Sequence, residues 1–321
     1  MPGFITHYLF GVNTYHTLRD KTLRQDLQQQ HAAYSLGLQG PDIFFYFLPS
    51  YLIHGRNIGS VAHSESTGKF LRSLIESQRL FHQQEEIQIA RAYIMGFLGH
   101  YFLDCQCHPY IYWRTNHRQC DPAYYGGHIH LETDIDAELL HFYRRKLPSA
   151  LRKEHTIHLN RLQLRTIATI LSDVYARTYP GRRISRLTIR LAIRSMQLGT
   201  RLLHDPSGRK KTVVRRLESL TTGRPLLSSL IASDTLRFYP DPLNESHHTW
   251  YNPWAQELHS DASFLQLMER AQLEYALLLP KLHELFRTEP HSQAAQRLKQ
   301  ELLTMLGNRS YHSGLSQHTR K

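Results

Sequence analysis

Residues Ala92–Trp113 read AYIMGFLGHYFLDCQCHPYIYW, a stretch whose only carboxylate is Asp104 and which holds neither Lys nor Arg. Apolar residues on every side of a helix mean that the helix is buried. The interruptions at His100, Asp104, His108 and Pro109 argue against a membrane span. His100, Asp104 and His108 stand at i, i+4 and i+8, which at 3.6 residues per turn stacks them along one stripe. An unpaired buried carboxylate is costly, and no basic residue nearby in sequence can neutralise Asp104. A metal ion would satisfy all three side chains. The alternative is a pair of hydrogen-bonded core histidines with a distant Arg on Asp104.

Working outward, HIHLETDID follows the Gly126-Gly127 break and repeats the spacing with His128, Glu132 and Asp136. Two such stripes can line one cleft, although Asp134 and Asp136 could equally form a solvated acidic face. On the other side, Asp42 follows Gly40-Pro41 and opens the aromatic run IFFYF, where a carboxylate either caps a helix or meets a cation. His63 in GSVAHS and His7 in ITHY are ordinary histidines taken singly and gain weight only from the set. His54 and His130 are alternative donors. Cys105 and Cys107 flank one residue and so face apart on a helix, which favours a core role over a metal thiolate.

The remaining chain has helical apolar spacing almost throughout, so the expected class is all-α. The pattern predicts helices over Leu18–Leu36, Ser66–Ser77, Gln84–Cys107, Ile129–Lys146, Glu154–Ala176, Ile184–Leu203, Lys211–Leu220, Ser263–Leu285 and Gln293–Leu306, with Pro280 kinking the penultimate one. Turn residues at 40–41, 121–127, 180–181, 205–206 and 240–253 separate them. The expected organisation is one domain over 1–306 and a polar, disordered tail over 307–321. Apolar residues make up 41% of the 321, which excludes a disordered chain, and three Cys exclude a disulfide scaffold. Met1–Leu18 lacks the charge-then-apolar order of a signal peptide, so the expected compartment is the cytoplasm.

The order THY, QGPDI, GSVAHS, GHYFLDCQCHPY, HIHLETDID and DPLNESHHTW resembles the zinc-dependent phospholipase C family, closest to its cytoplasmic bacterial branch. That family is related more distantly to single-strand-specific nucleases with three zinc ions. The resemblance implies an all-α bundle of that type with two or three zinc ions. One zinc would be held by Asp42, His63, His100 and Asp104, and a second by His108, His128 and Glu132 with a position left for water. Asp104 would bridge the first to a third that also uses His7. In secreted relatives that third ion takes a processed N-terminal amine, which this chain, with Met1 six residues before His7, is not expected to supply.

Oxygen and imidazole donors with a vacancy suit catalytic zinc, which activates water for attack on phosphorus. Asp42 could accept a proton from that water or act purely as a ligand. Lys and Arg number 39 against 27 Asp and Glu, a net charge of +12 that favours an anionic partner. Arg183, Arg186, Arg190, Arg194 and Arg201 lie near one side of a helix, with Ile184, Leu187, Leu191, Leu198 and Leu202 on the other. Such a helix can approach an anionic membrane, or a nucleic-acid backbone, or be the solvated face of a bundle. The expected activity is phosphodiester hydrolysis on a phospholipid or related phosphoester. The rivals are a nuclease or nucleotidase on the same metals, and a non-catalytic basic helical protein that binds membrane or nucleic acid.

Overall fold

A computed structural model of the chain describes residues 3–47, 49, 57–116, 124–207, 209–221 and 227–317. Within them the chain folds into α1 (Phe4–Thr17), α2 (Lys21–Gln29), α3 (His31–Gly37), a 3-10 turn (Gly40–Phe44), α4 (Ile58–Ser64), α5 (Thr67–Glu76), α6 (Gln84–Arg114), α7 (Tyr124–Arg144), the single turn α8 (Lys153–Thr156), α9 (Arg161–Thr178), α10 (Arg186–Leu202), α11 (Arg209–Thr221), a β1–β2 hairpin (Trp250–Asn252 and Ala255–Ser260), α12 (Phe264–Arg287) and α13 (Gln293–Leu306). The all-α expectation holds, with one small antiparallel ribbon added.

The 31 residues of α6 form the axis, about 46 Å long at 1.5 Å per residue, and α1, α3, α9 and α12 pack around it. It is apolar on all sides because it has neighbours on all sides. Close approach of α3 depends on Gly96, where a Cβ would lie 2.1 Å from the Tyr34 carbonyl oxygen. From α12, the Tyr275 hydroxyl donates to the Met95 carbonyl at 2.7 Å, so the buried phenol is satisfied. Capping boxes start α9 at Asn160/Gln163 and α12 at Ser263/Gln266, and Ser185 and Ser292 cap α10 and α13.

Several boundaries differ from expectation for identifiable reasons. The span predicted as Leu18–Leu36 is two helices, because Asp20 caps at Lys21 and the chain turns at Gln30. α1, which the sequence reading left unassigned, has no capping side chain of its own; its first turn is completed from α7. α6 runs past Cys107 through Pro109 to Arg114, and α12 runs through Pro280 to Arg287. The helix expected from Glu154 begins only at Arg161, where Asn160 caps it.

The expected disordered tail is instead packed over its described part, 307–317. Arg309 bridges Ser316, Asn308 and Gln317 exchange hydrogen bonds at 2.7 and 2.8 Å, and Tyr311 is 1% exposed. Asn252 donates to the Ser313 carbonyl at 2.9 Å and Arg309 N–H to the Tyr101 hydroxyl at 3.0 Å, so the hairpin and α6 both hold it.

α10 also turns a different side inward. Ile189, Ala192, Ile193 and Met196 are buried, while Leu187, Leu191, Leu198 and Leu202 are 41–62% exposed beside the exposed Arg186, Arg190, Arg194 and Arg201. The expected placing of arginines and leucines on opposite sides is therefore wrong; of the five apolar residues only Ile184 is buried, and the four leucines lie outside with the arginines.

Candidate metal centre

The stripe on α6 is fully buried: His100, Asp104 and His108 each have no exposed surface. Other elements then bring their groups to it. The 3-10 turn delivers Asp42, α4 delivers His63, α1 delivers His7, and α7 delivers His128 and Glu132. Gly40 at the head of the turn adopts φ +50°, and a Cβ there would collide with the His100 ring at 2.3 Å. Only glycine lets the Asp42 turn sit this close to α6.

Three of the histidines have their ring orientation set by main-chain carbonyls. The His63 Nδ1–H donates to Gly59 O at 2.8 Å, His100 Nδ1–H to Leu38 O at 3.2 Å, and His108 Nδ1–H to Tyr311 O at 2.6 Å. A carbonyl can only accept, so each neutral ring presents a bare Nε2 lone pair to the interior. The His63 and His100 Nε2 atoms face each other at 3.3 Å. Around them, Asp104 Oδ2 lies 3.2 Å from His100 Nε2 and 3.4 Å from His63 Nε2, while Asp42 Oδ1 lies 3.4 and 3.7 Å from His63 and His100. His7 Nε2 approaches the other Asp104 oxygen at 3.2 Å and its ring stacks on His100.

This arrangement leaves buried polar atoms that a cation would satisfy. Both nitrogens of His7, Oδ1 of Asp42, both oxygens of Asp104 and Nε2 of His108 are buried without a hydrogen-bond partner. Two groups, His7/Asp42/His100 and His63/His100/Asp104, share His100 and so merge into one cluster; the ligand atoms in each lie within 4.8 Å of one another. A third group joins His108, His128 and Glu132, with His128 Nε2 and Glu132 Oε1 3.0 Å apart. Three protein donors of N and O type are what a catalytic zinc site provides, whereas a closed structural site favours thiolates. Cys105 and Cys107 contribute to none of these groups among the described residues, and burial pushes both thiols up.

Protonation states fit the same chemistry. Burial would raise the Asp104 carboxyl, but its contacts with His100, His108 and His63 hold it well below the usual range. Burial works to lower His63, yet its contacts with Asp104 and Asp42 raise it to about 9, so a proton there does part of a cation's work. Burial holds His108 well below its ordinary value and lowers His7, in the latter case with help from His100. Neutral His7 and His108 beside an ionised Asp104 are in the states that ligate metal, and a cation would take the place of the His63 proton.

Every predicted ligand, His7, Asp42, His63, His100, Asp104, His108, His128 and Glu132, falls in these groups. His130 does not: it stacks on Phe238 at 3.8 Å, and burial together with Lys211 lowers it to about 4. His54 and the N-terminal amine lie outside the described residues. The solvated acidic face is excluded, since Asp134 and Asp136 are each 1% exposed. Asp134 accepts from the Phe238 and Tyr239 N–H groups at 2.7 and 2.9 Å. Asp136 accepts from Ile5 N–H, Thr6 N–H and the Thr6 hydroxyl at 3.1, 2.8 and 2.7 Å, so it caps α1 from α7 and sets the position of His7.

Sequence reasoning missed Tyr311 and His312. Tyr311 packs its ring 4.9 Å from that of His63, and the His312 ring lies 5.9 Å from His63 and 6.0 Å from His108. Burial and the His63 charge push His312 down to about 3. The only signal was a Tyr-His pair inside a run of turn residues, Asn308 to Gly314.

The sequence profile of zinc-dependent phospholipase C matches residues 4–181, a span that includes every ligand named above and more than half of the chain. No curated protein and no solved structure matches it. On the strength of that match, and with a ligand set that fits zinc, the chain belongs to the zinc-dependent phospholipase C family.

Proposed function

We propose that this protein hydrolyses the phosphodiester bond of a membrane phospholipid. The observation that carries the reading is the division of one ligand set into a fully buried cluster and a group at the edge, where the His128 and Glu132 side chains are 12% and 10% exposed. We assign Asp42, His63, His100 and Asp104 to one zinc, His108, His128 and Glu132 to a second, and His7 with Asp104 to a residual third that does without the N-terminal amine. Bound zinc supplies a lowered pKa for water and neutralises phosphoryl oxygens. The chain's own work is to hold His7 and His108 neutral, keep Asp104 and Glu132 ionised and gather the ligands in one place. Asp42 is the group for accepting the proton of the attacking water; a purely ligating role fits its position equally well.

Lipid is favoured over nucleic acid by the apolar surface beside the edge group. Tyr112 packs against His128 at 4.9 Å and against Trp254 at 5.0 Å; Trp254, Tyr251 and Leu258 of the hairpin are 41–49% exposed. The outward leucines of α10 beside its arginines form the kind of face that lies in a membrane interface. No described helix is long and apolar enough to cross a membrane.

Zinc-loaded protein offered phosphatidylcholine vesicles, single-stranded nucleic acid and an aryl phosphodiester tests the reading. Turnover of vesicles above the other two supports it; preference for nucleic acid supports a nuclease, and turnover of none supports a binding protein. Changing Arg186, Arg190 and Arg194 together to Gln is expected to weaken binding to phosphatidylserine vesicles by about 1 kcal/mol per charge, roughly a hundredfold in all. Unchanged vesicle binding would return α10 to a solvated surface.

A further inference from the structure

His312 differs from His63, His100 and His108 in the partner of its Nδ1. We propose that His312 is an additional substrate-contacting residue, donating a hydrogen bond from Nε2 to an oxygen of the bound phosphoryl group; this rests on the phosphoester reading above. His63, His100 and His108 give their Nδ1 protons to carbonyls and so offer bare Nε2 atoms. His312 Nδ1 instead meets the Tyr112 hydroxyl at 2.6 Å. A hydroxyl that donates to Nδ1 leaves the proton of the neutral ring on Nε2. An Nε2–H cannot ligate a metal; it can donate to an anion.

Placement agrees with that role. The His312 ring faces His63 of the inner cluster and His108 of the edge group at nearly equal distances, 5.9 and 6.0 Å, so it stands across from both. It is half-buried, as is Tyr112 on the same side as His128. The Arg309–Ser316 bridge, the Asn252 contact to Ser313 O and the buried Tyr311 ring fix the backbone on either side, which holds the donor in place before substrate arrives.

The test uses the full zinc-loaded chain, with His312→Ala, His312→Gln and Tyr112→Phe. Zinc per chain, inorganic phosphate affinity by calorimetry, and kcat for an aryl phosphodiester are measured, with melting temperature as the check on folding. We expect wild-type zinc content in all three. In His312→Ala, phosphate affinity should fall about tenfold and kcat about a hundredfold, the usual scale for losing one donor to a developing anion. His312→Gln, whose amide N–H can donate, should recover part of both, and Tyr112→Phe should fall between. Unchanged phosphate affinity in His312→Ala would overturn the assignment. Loss of one zinc would also overturn it, making His312 a ligand. If wild type binds phosphate through His312 but hydrolyses no diester, the phosphodiesterase reading fails while this contact stands.

Discussion

The inner cluster and the edge group are built from the same residue types and differ in how they are enclosed. His7, Asp42, His63, His100 and Asp104 come from four separate segments, and none of their side chains is more than 7% exposed. The edge group needs only α6 and α7, and His128 and Glu132 keep a tenth of their surface in solvent. Two carboxylates sealed among three imidazoles tolerate little besides a cation, since a buried unpaired charge is penalised heavily. One carboxylate with two imidazoles at a partly open edge leaves room for an exchanging ligand. In the proposed reading enclosure divides the labour, with the interior holding metal and the edge meeting substrate.

Asp104→Asn attacks the carboxylate at the centre of the inner cluster and carries the largest expected effect. The amide removes charge from the inner cluster and from the oxygen nearest His7, so zinc content should fall and diester turnover drop by about a thousandfold or more. Full activity with full zinc would break the comparison. His128→Ala and Glu132→Ala should each release one zinc, keep the inner one and lower turnover by about a hundredfold. Elemental analysis that finds both metals lost together would show one cluster rather than two.

Chelation sharpens the thermodynamic side. Ligand saturation at a thousand times its dissociation constant adds about 4 kcal/mol, so stripped protein should melt roughly 6 °C lower. Glu132→Ala should lose less of that difference than Asp104→Asn, because its ligand group is the more exposed. Equal losses in differential scanning calorimetry would contradict the ranking. The smallest effect is expected for Asp136→Asn, which touches no metal and works through the start of α1. About 10- to 100-fold in activity is the scale for a residue that orients a ligand. Activity equal to wild type with α1 intact by hydrogen exchange would remove Asp136 from the site.

The candidate stripes His100/Asp104/His108 and His128/Glu132 were legible because helical periodicity puts residues four apart on one face whatever the fold. Asp42, His63 and His7 were legible only as members of a set, since nothing local says which way a turn or a short helix points. The carbonyls of Leu38, Gly59 and Tyr311 carry no side-chain signature, so the groups that orient the histidines could not be found from sequence. Asp136 reads from spacing alone as a third member of the His128 stripe or part of a solvated face. Its three donors lie in α1, about 130 residues away, where pairing is a tertiary matter. α10 was misoriented for a related reason. Its apolar arc is wide enough to be packed from either half, and the neighbours decide: Gly199 meets the Tyr46 ring, which fixes the inward side.

Pro109 in α6 has a consequence for the order in which the protein matures. Proline has no N–H, so the Cys105 carbonyl one turn earlier is left without its helical donor. Gly314, at φ +66°, settles against that carbonyl so closely that a Cβ would stand 2.4 Å from the oxygen. The gap in the helix is thus the seat for the 307–317 segment, which in turn gives His108 its carbonyl partner across 203 residues of chain. Contacts of such separation close late, after the helices they join have formed. A chain that has packed its helices but not seated this segment lacks the carbonyl that orients His108, and its candidate edge group is incomplete.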